Sequence, residues 1–402
     1  MTDLPGPVGA LADVRVVDAS TILAGPFTCQ LLGEYGAEVI KVEHPDHGDG
    51  LRGHGTAAGD DSFLWKSVNR NKRSIGLRIN TAQGAELLLR LVRDADVLVE
   101  NFRPGTLDRW GLSLDKLHEV NPRLVVLRIT GFGQEGPYRD RRAFGTLTEA
   151  MSGFAASTGE PDGPPQLPPF GLADSIAGVA GAAAVSLALY ERERSGVGQE
   201  IDLSILEPIM AAVGVGPTVY EATGELPQRA GNRSTNNAPR NLYRTRDERW
   251  VAVSTSSTSV AERVMRLVGH EDVIGESWFA TGQGRVAHGE LLDGAVASWI
   301  SARDQLEVIE RFTEAGAAAA PVYTAADILE DEQVVARGVF ERHLDDDVGE
   351  VVLQAPFLRF SRTPGRVRSV GPALGSSTDA ILDEIGIDEP SRVALRSAGV
   401  IR

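Results

Sequence analysis

The first two hundred residues alternate short apolar runs with segments of helical period, and no other feature narrows the fold so far. VRVVD (14–18) is followed by AGPFTCQLLGEYG, whose apolar positions recur at helical spacing, and then by EVIKVE (38–43). SIGLRI (74–79) leads into TAQGAELLLRLVRDA (81–95), then DVLVEN (96–101) and RLVVLRIT (123–130). Strand, helix and strand in repetition predict a parallel sheet with helical crossovers, an α/β fold of Rossmann-like style. An Ala-rich helix over about 175–194 ends at Ser195-Gly196, and QEIDLS (199–204) resumes a strand.

At 402 residues the chain exceeds the length at which one core stops growing, which predicts two lobes. The large Rossmann-like domain is expected over 1–222. ELPQRAGNRSTNNAPRN is polar, carries Pro and Gly and lacks periodicity, so 223–241 is read as a linker. WVAVSTS (250–256) with the helix-patterned VAERVMRLVG and QLEVIERFTEAG predicts a smaller α/β domain over 242–321. Residues 322–345 are read as a return linker, and 346–402 as packing back on the large domain.

A formal charge of −16 argues against nucleic-acid binding, which needs a basic surface. A single cysteine, Cys29, excludes an internal disulfide and suits a reducing, cytoplasmic setting. MTDLPGPVGALADV lacks a charged segment followed by an apolar core, so no leader is expected. The apolar run from Ile176 to Tyr190 is short for a membrane span, and Glu191, Arg192 and Glu193 follow it. No membrane association is expected.

Several motifs promise more chemistry than they carry. GFGQEG (131–136) has dinucleotide-fingerprint spacing, but Pro137-Tyr138 and RDRR follow where that fingerprint needs a helix. No Walker motif or GxSxG elbow occurs. HPDHGDGLRGHG (44–55) is rich in His and Asp, yet its glycines and lack of a helix read as a loop, and no metal site is assigned. Basic residues gather in NRNKRS (69–74), at Arg78, Arg103 and Arg109, and at Arg139, Arg141 and Arg142. They form either a solvated face or a phosphate site at strand ends.

PPFGLADSIAGVAGAAAVSLALY (168–190) sets one acid, Asp174, before a long small-sided segment. Two readings are open. Asp174 is a helix N-cap, or it is a carboxylate kept ionised by helix N–H groups and approached across small neighbours, competent as a nucleophile.

Ordered blocks along nearly the whole chain resemble the class III CoA-transferases, the family of formyl-CoA transferase, carnitine CoA-transferase and α-methylacyl-CoA racemase. They are LAGPFTCQLLGEYGAEVIKVE (23–43), NRNKRSIGLRINTAQG (69–84), DVLVENFRPGTLDRWG (96–111), GFGQEGPY (131–138), GLADSIAG (171–178), TAADILEDEQVVARG (324–338) and ALGSSTDAILDEIG. The resemblance implies that Asp174 is the nucleophile, passing through an aspartyl-acyl anhydride and an aspartyl-CoA thioester. It implies transfer of CoA from an acyl-CoA such as succinyl-CoA to an organic acid, with no permanently bound cofactor. It also implies CoA contacts at Leu23, Ala24, Leu77, Arg78, Asn80, Asn101, Phe102, Arg109 and Arg142, with His44 in place of an arginine. Phe144-Gly145 stand where racemases carry a His-Asp pair, so racemisation lacks its base. Formyl-CoA transferase has an acid at the position of Gly145, glutamine at that of Leu23 and a tetraglycine loop where this chain has STNNAPR. Glu149, one turn beyond Gly145, is a substitute acid or a surface residue. A racemase and a non-catalytic acyl-CoA binder are the alternatives. The resemblance finally implies an interlinked homodimer with the active site between the first lobe of one subunit and the small lobe of the other.

Overall fold

The computed structural model describes residues 9–402; residues 1–8, the start of the N-terminal stretch read above for a leader, lie outside them. The chain divides into two compact units. The first comprises the residues up to Phe154, Leu167–Gly214 and Gln333–Arg402, and the second Ala155–Gln166 and Val215–Glu332. The break thus falls at 214/215, whereas the composition change in the sequence was placed at 222/223.

The first unit is built on six parallel strands: β1 (Arg15–Asp18), β2 (Glu38–Glu43), β3 (Lys72–Gly76), β4 (Val97–Glu100), β5 (Val125–Thr130) and β6 (Glu200–Ser204). Their order is β3-β2-β1-β4-β5-β6, so the direction of winding reverses between β1 and β4. This is the Rossmann order, and open sheets of this kind place ligands beyond the carboxyl ends of the strands at that reversal. The main helices of the unit are α1 (Ala24–Glu34), α2 (Ala82–Arg93), α3 (Gly145–Met151), α4 (Leu172–Ser195) and α5 (Leu206–Val213).

Successive strand residues face opposite ways. Val17, Ile40, Ile75, Leu98 and Val126 bury one face with Leu88, Leu91 and Val92 of α2. Val16, Val39, Val97, Val99 and Leu127 bury the other with Cys29 and Leu32 of α1 and Ala173, Ala177 and Val185 of α4. With both faces covered, the strands read as near-continuous apolar runs, which is why they were legible in the sequence. Ile381, Leu382, Val400 and Ile401 join the α2 side of this core.

The second unit carries three antiparallel strands, β7 (Asn241–Arg244), β8 (Trp250–Val253) and β9 (Ala319–Pro321), with β8 central. Its core sets Val251 and Val253 against Val264, Met265, Val296, Ile300 and Phe312 of the adjoining helices.

Helix α4 is longer than the apolar run read from the sequence. At 24 residues it is long and apolar enough, by length and composition, to cross a membrane. Its inner face instead packs on α1, where a Cβ on Gly178 would lie 2.7 Å from Phe27 Cδ1 and one on Gly181 2.5 Å from Thr28 Oγ1. The small residues of α4 thus bring two helices together. For the residues further along α4 this corrects the expectation that small neighbours leave room for a substrate.

Candidate active site

The loop Ala19–Leu23 leaves β1 at the winding reversal, and its backbone is strained: Ile22, a β-branched residue, has φ +68°. Side-chain bonds to Thr21 and Ile22 help to hold it. Asn101, just beyond β4, accepts the Thr21 N–H at 2.8 Å and donates to the Thr21 carbonyl at 2.7 Å. Asp49 accepts the Ile22 N–H at 3.0 Å. Beneath the loop lie Asp18, Lys41, Lys72 and Asp49, all buried. Lys41 Nζ lies 3.0 Å from Asp49, and Lys72 Nζ 2.9 Å from Asp18. Burial alone would raise the Asp18 carboxyl, but Lys41 and Lys72 together hold it below its ordinary value. Removing one member would leave an uncompensated buried charge, which is why such a cluster holds its loop rigidly.

Asp174 stands at the third residue of α4, and Gly171 occupies the cap position without a side-chain cap, so the N-cap reading is corrected. Its carboxylate accepts the backbone N–H of Gly145, the first residue of α3. Burial pushes its pKa up to about 6; the Gly145 N–H opposes this and the nearby Glu149 charge adds to it. Helix N–H groups therefore do not keep this acid as readily ionised as the sequence suggested, because desolvation outweighs them. At neutral pH it is still mostly ionised.

Two glycines open the approach. A Cβ on Gly145 would sit 2.5 Å from Asp174 Oδ2, and one on Gly171 would sit 3.5 Å from that oxygen and 2.7 Å from Leu23 Cδ2. The strained loop thus delivers Leu23 to the segment that carries Asp174. Glu149 is buried and accepts the Ala173 N–H at 3.1 Å, so it is no surface residue.

The other expected residues divide by what they have left to offer. Ala24 is buried at the start of α1. Leu77 is buried in the core and bridged to Ile401, so its side chain is not available to a ligand. Both ends of the Asn101 amide hold Thr21. Phe102 packs edge-on to Trp110 at 5.0 Å. Arg78, at the carboxyl end of β3, reaches Asp46 at 2.6 Å and the Gly399 carbonyl. His44 stacks on His47 at 4.0 Å, and burial, His47 and Arg78 hold its pKa down. Asn80, Arg109 and Arg142 are exposed; Arg109 donates to Thr106 at 2.8 Å. The basic run NRNKRS is not a phosphate patch. Arg70 pairs with buried Glu34, Lys72 with Asp18, and Arg73 with Glu38 and Glu384, all within the fold.

The deciding observation is a match to the family model described as CoA-transferase family III, which spans residues 11–378. The chain belongs to CoA-transferase family III. It is 40% identical over 399 residues to a succinyl-CoA–D-citramalate CoA-transferase of Chloroflexus aurantiacus, covering 98% of this chain and 99% of that one. It is 34% identical over 398 residues to a succinate–glutarate CoA-transferase of Agrobacterium fabrum, covering 96% and 98%. A CaiB/BaiF family protein of Brucella suis superposes with a TM-score of 0.82 at 32% identity, over 94% of this chain and 99% of that chain. The protein is an enzyme that transfers CoA from thioester substrates.

The sequence of this transferase singles out Asp174 but does not show what surrounds it. Gly145 stood out only as a missing acid, and Asp49, Lys41 and Lys72 drew no separate notice. A backbone N–H has no letter of its own, and buried ion partners lie far apart in the chain.

Proposed function

We propose that this CoA-transferase takes CoA from succinyl-CoA and hands it to a small organic acid, with Asp174 as the nucleophile. The observation that carries the reading is a desolvated carboxylate, raised to about 6 and flanked by two glycines that keep its oxygens clear of side chains. The Asp174 carboxylate attacks the thioester carbonyl, giving a mixed anhydride and CoA thiolate. The thiolate attacks the aspartyl carbonyl, releasing succinate and leaving an aspartyl-CoA thioester. The acceptor carboxylate attacks that thioester, forming a second anhydride and freeing the thiolate. Attack of the thiolate on the acceptor carbonyl yields the new acyl-CoA and restores Asp174.

Each exchange replaces one acid by another at similar energy, so no nucleotide is consumed. An oxyanion forming on Asp174 meets the Gly145 N–H already bonded there. In this reading CoA lies along Leu23, Ala24, Leu77, Arg78, Asn80, Asn101, Phe102, Arg109 and Arg142, with Leu77 offering backbone alone and Asn101 holding the loop. No cofactor is held permanently. Relatives named for succinyl-CoA support the donor.

The same reading makes the enzyme a cytoplasmic, interlinked homodimer. Support comes from α4, whose outer face exposes Val179, Leu187 and Tyr190 at 46%, 71% and 68%. A stripe of this kind is suited to burial against a second copy.

The test of the nucleophile is chemical trapping. Incubation with succinyl-CoA and then hydroxylamine or borohydride should modify Asp174, read by peptide mass spectrometry. An enzyme that turns over while the Asp174 peptide stays unmodified would sink the mechanism.

A further inference from the structure

Glu149 is buried to 1% exposure and makes no ion pair among the described residues. Its Oε1 accepts the Ala173 N–H at 3.1 Å. One turn earlier on the same helix, the Gly145 N–H donates to Asp174. Helix α3 therefore grips the first turn of α4 at two adjacent residues, once with a donor and once with an acceptor. Nothing in that grip requires charge, because a glutamine oxygen would accept the same N–H. A buried carboxylate without a cation is costly, so its retention next to a reacting acid asks for a reason.

We propose that Glu149 is a positioning residue of the transfer reaction: it fixes the first turn of α4, and its charge opposes that of free Asp174. Acylation of Asp174 removes that negative charge, so the repulsion is relieved as the anhydride or thioester forms. The inference rests on Asp174 being the nucleophile.

Other charged groups on the elements packed against α3 and α4 are engaged elsewhere or lie at the surface. On α1, the Cys29 thiol is pushed up by burial and by Asp18, while Glu34 pairs with Arg70. Arg128 of β5 pairs with Glu100 and with Glu200 of β6, and Asp202 of β6 accepts the Gln134 N–H. Glu207 on α5 and Arg142 before α3 are exposed. The Glu149 charge adds to burial in raising Asp174.

The sign follows directly. Glu149→Gln keeps the acceptor for Ala173 and removes the charge, so Asp174 should titrate at lower pH. Single-turnover release of CoA from succinyl-CoA, followed across pH with adduct detection at Asp174, reads both effects. We expect the acidic limb to move to lower pH, and the acylation rate at about pH 8 to fall roughly threefold. Glu149→Ala should lose more, because the bond to Ala173 goes as well. Unchanged rate and limb in Glu149→Gln would overturn the proposal. So would equal losses in both variants with the limb unmoved, which is what a merely structural residue would give. Failure of Glu149→Gln to fold would refute the premise that an amide suffices at Ala173. If the wild-type enzyme forms no Asp174 adduct, the nucleophile assignment fails and this inference with it; that failure is seen without any variant.

Discussion

Replacing the proposed nucleophile should make the protein more stable. Asp174 titrates at about 6 in the folded state against 3.8 for an unperturbed group, chiefly because it is buried. A rise of roughly two units corresponds to about 3 kcal/mol held against the ionised folded state, and partial exposure reduces this to about 2 kcal/mol. Asp174→Asn removes the charge while its amide oxygen still accepts the Gly145 N–H. The sign follows from a folded pKa that lies above the unfolded one. The favourable contribution of the protonated carboxyl is complete below about pH 4, is lost as pH rises through 6, and leaves the full penalty above about pH 7. The variant's advantage over the wild type should therefore develop between these limits and be full above them. Spread over the unfolding entropy of 402 residues, the gain is a rise in Tm of about 2–3 °C at pH 8 or so. It should shrink by more than half near pH 4.5. Paired thermal scans at the same rate at both pH values check it, with transferase activity lost in the variant. Equal or lower stability at high pH, or an advantage that does not change with pH, would refute the account of Asp174 as a desolvated carboxylate. A stability gain bought with lost activity is what a site held away from its energetic optimum predicts.

Two further outcomes follow from the geometry. Gly145→Ala puts a methyl within 2.5 Å of Asp174 Oδ2, so the carboxylate must swing aside; kcat should fall by about 10²-fold or more with the fold kept by circular dichroism, and an unimpaired variant would refute the close approach. The interlinked homodimer predicts that dilution to nanomolar concentration releases no folded monomer, because folded chain and dimer are then inseparable; an active species of about 42.9 kDa in light scattering or native mass spectrometry would overturn it.

The sequence alone determined the sheet strands and the family. β2 falls where EVIKVE predicted it, and β1, β4 and β5 lie within one or two residues of their runs, because a strand buried on both faces must be apolar throughout. β6, less buried, also lies within one residue of its run, while β3 begins two residues before SIGLRI and ends three residues before it does. Asp174 was legible because the block GLADSIAG places it. Tertiary structure decided the rest. Whether Asp174 capped its helix depended on where α4 begins, and cap geometry has no fixed letter code. Its pKa depended on burial and on Glu149, 25 residues away, which no local pattern links to it. Lys72, Arg70 and Arg73 read as a basic patch, yet folding carried each to its own acid at Asp18, Glu34 and Glu38. The small residues near Asp174 read as room for a substrate, yet along α4 the fold sets Phe27 and Thr28 against Gly178 and Gly181. Periodicity reports which face of an element is buried; only three-dimensional packing decides what lies against it.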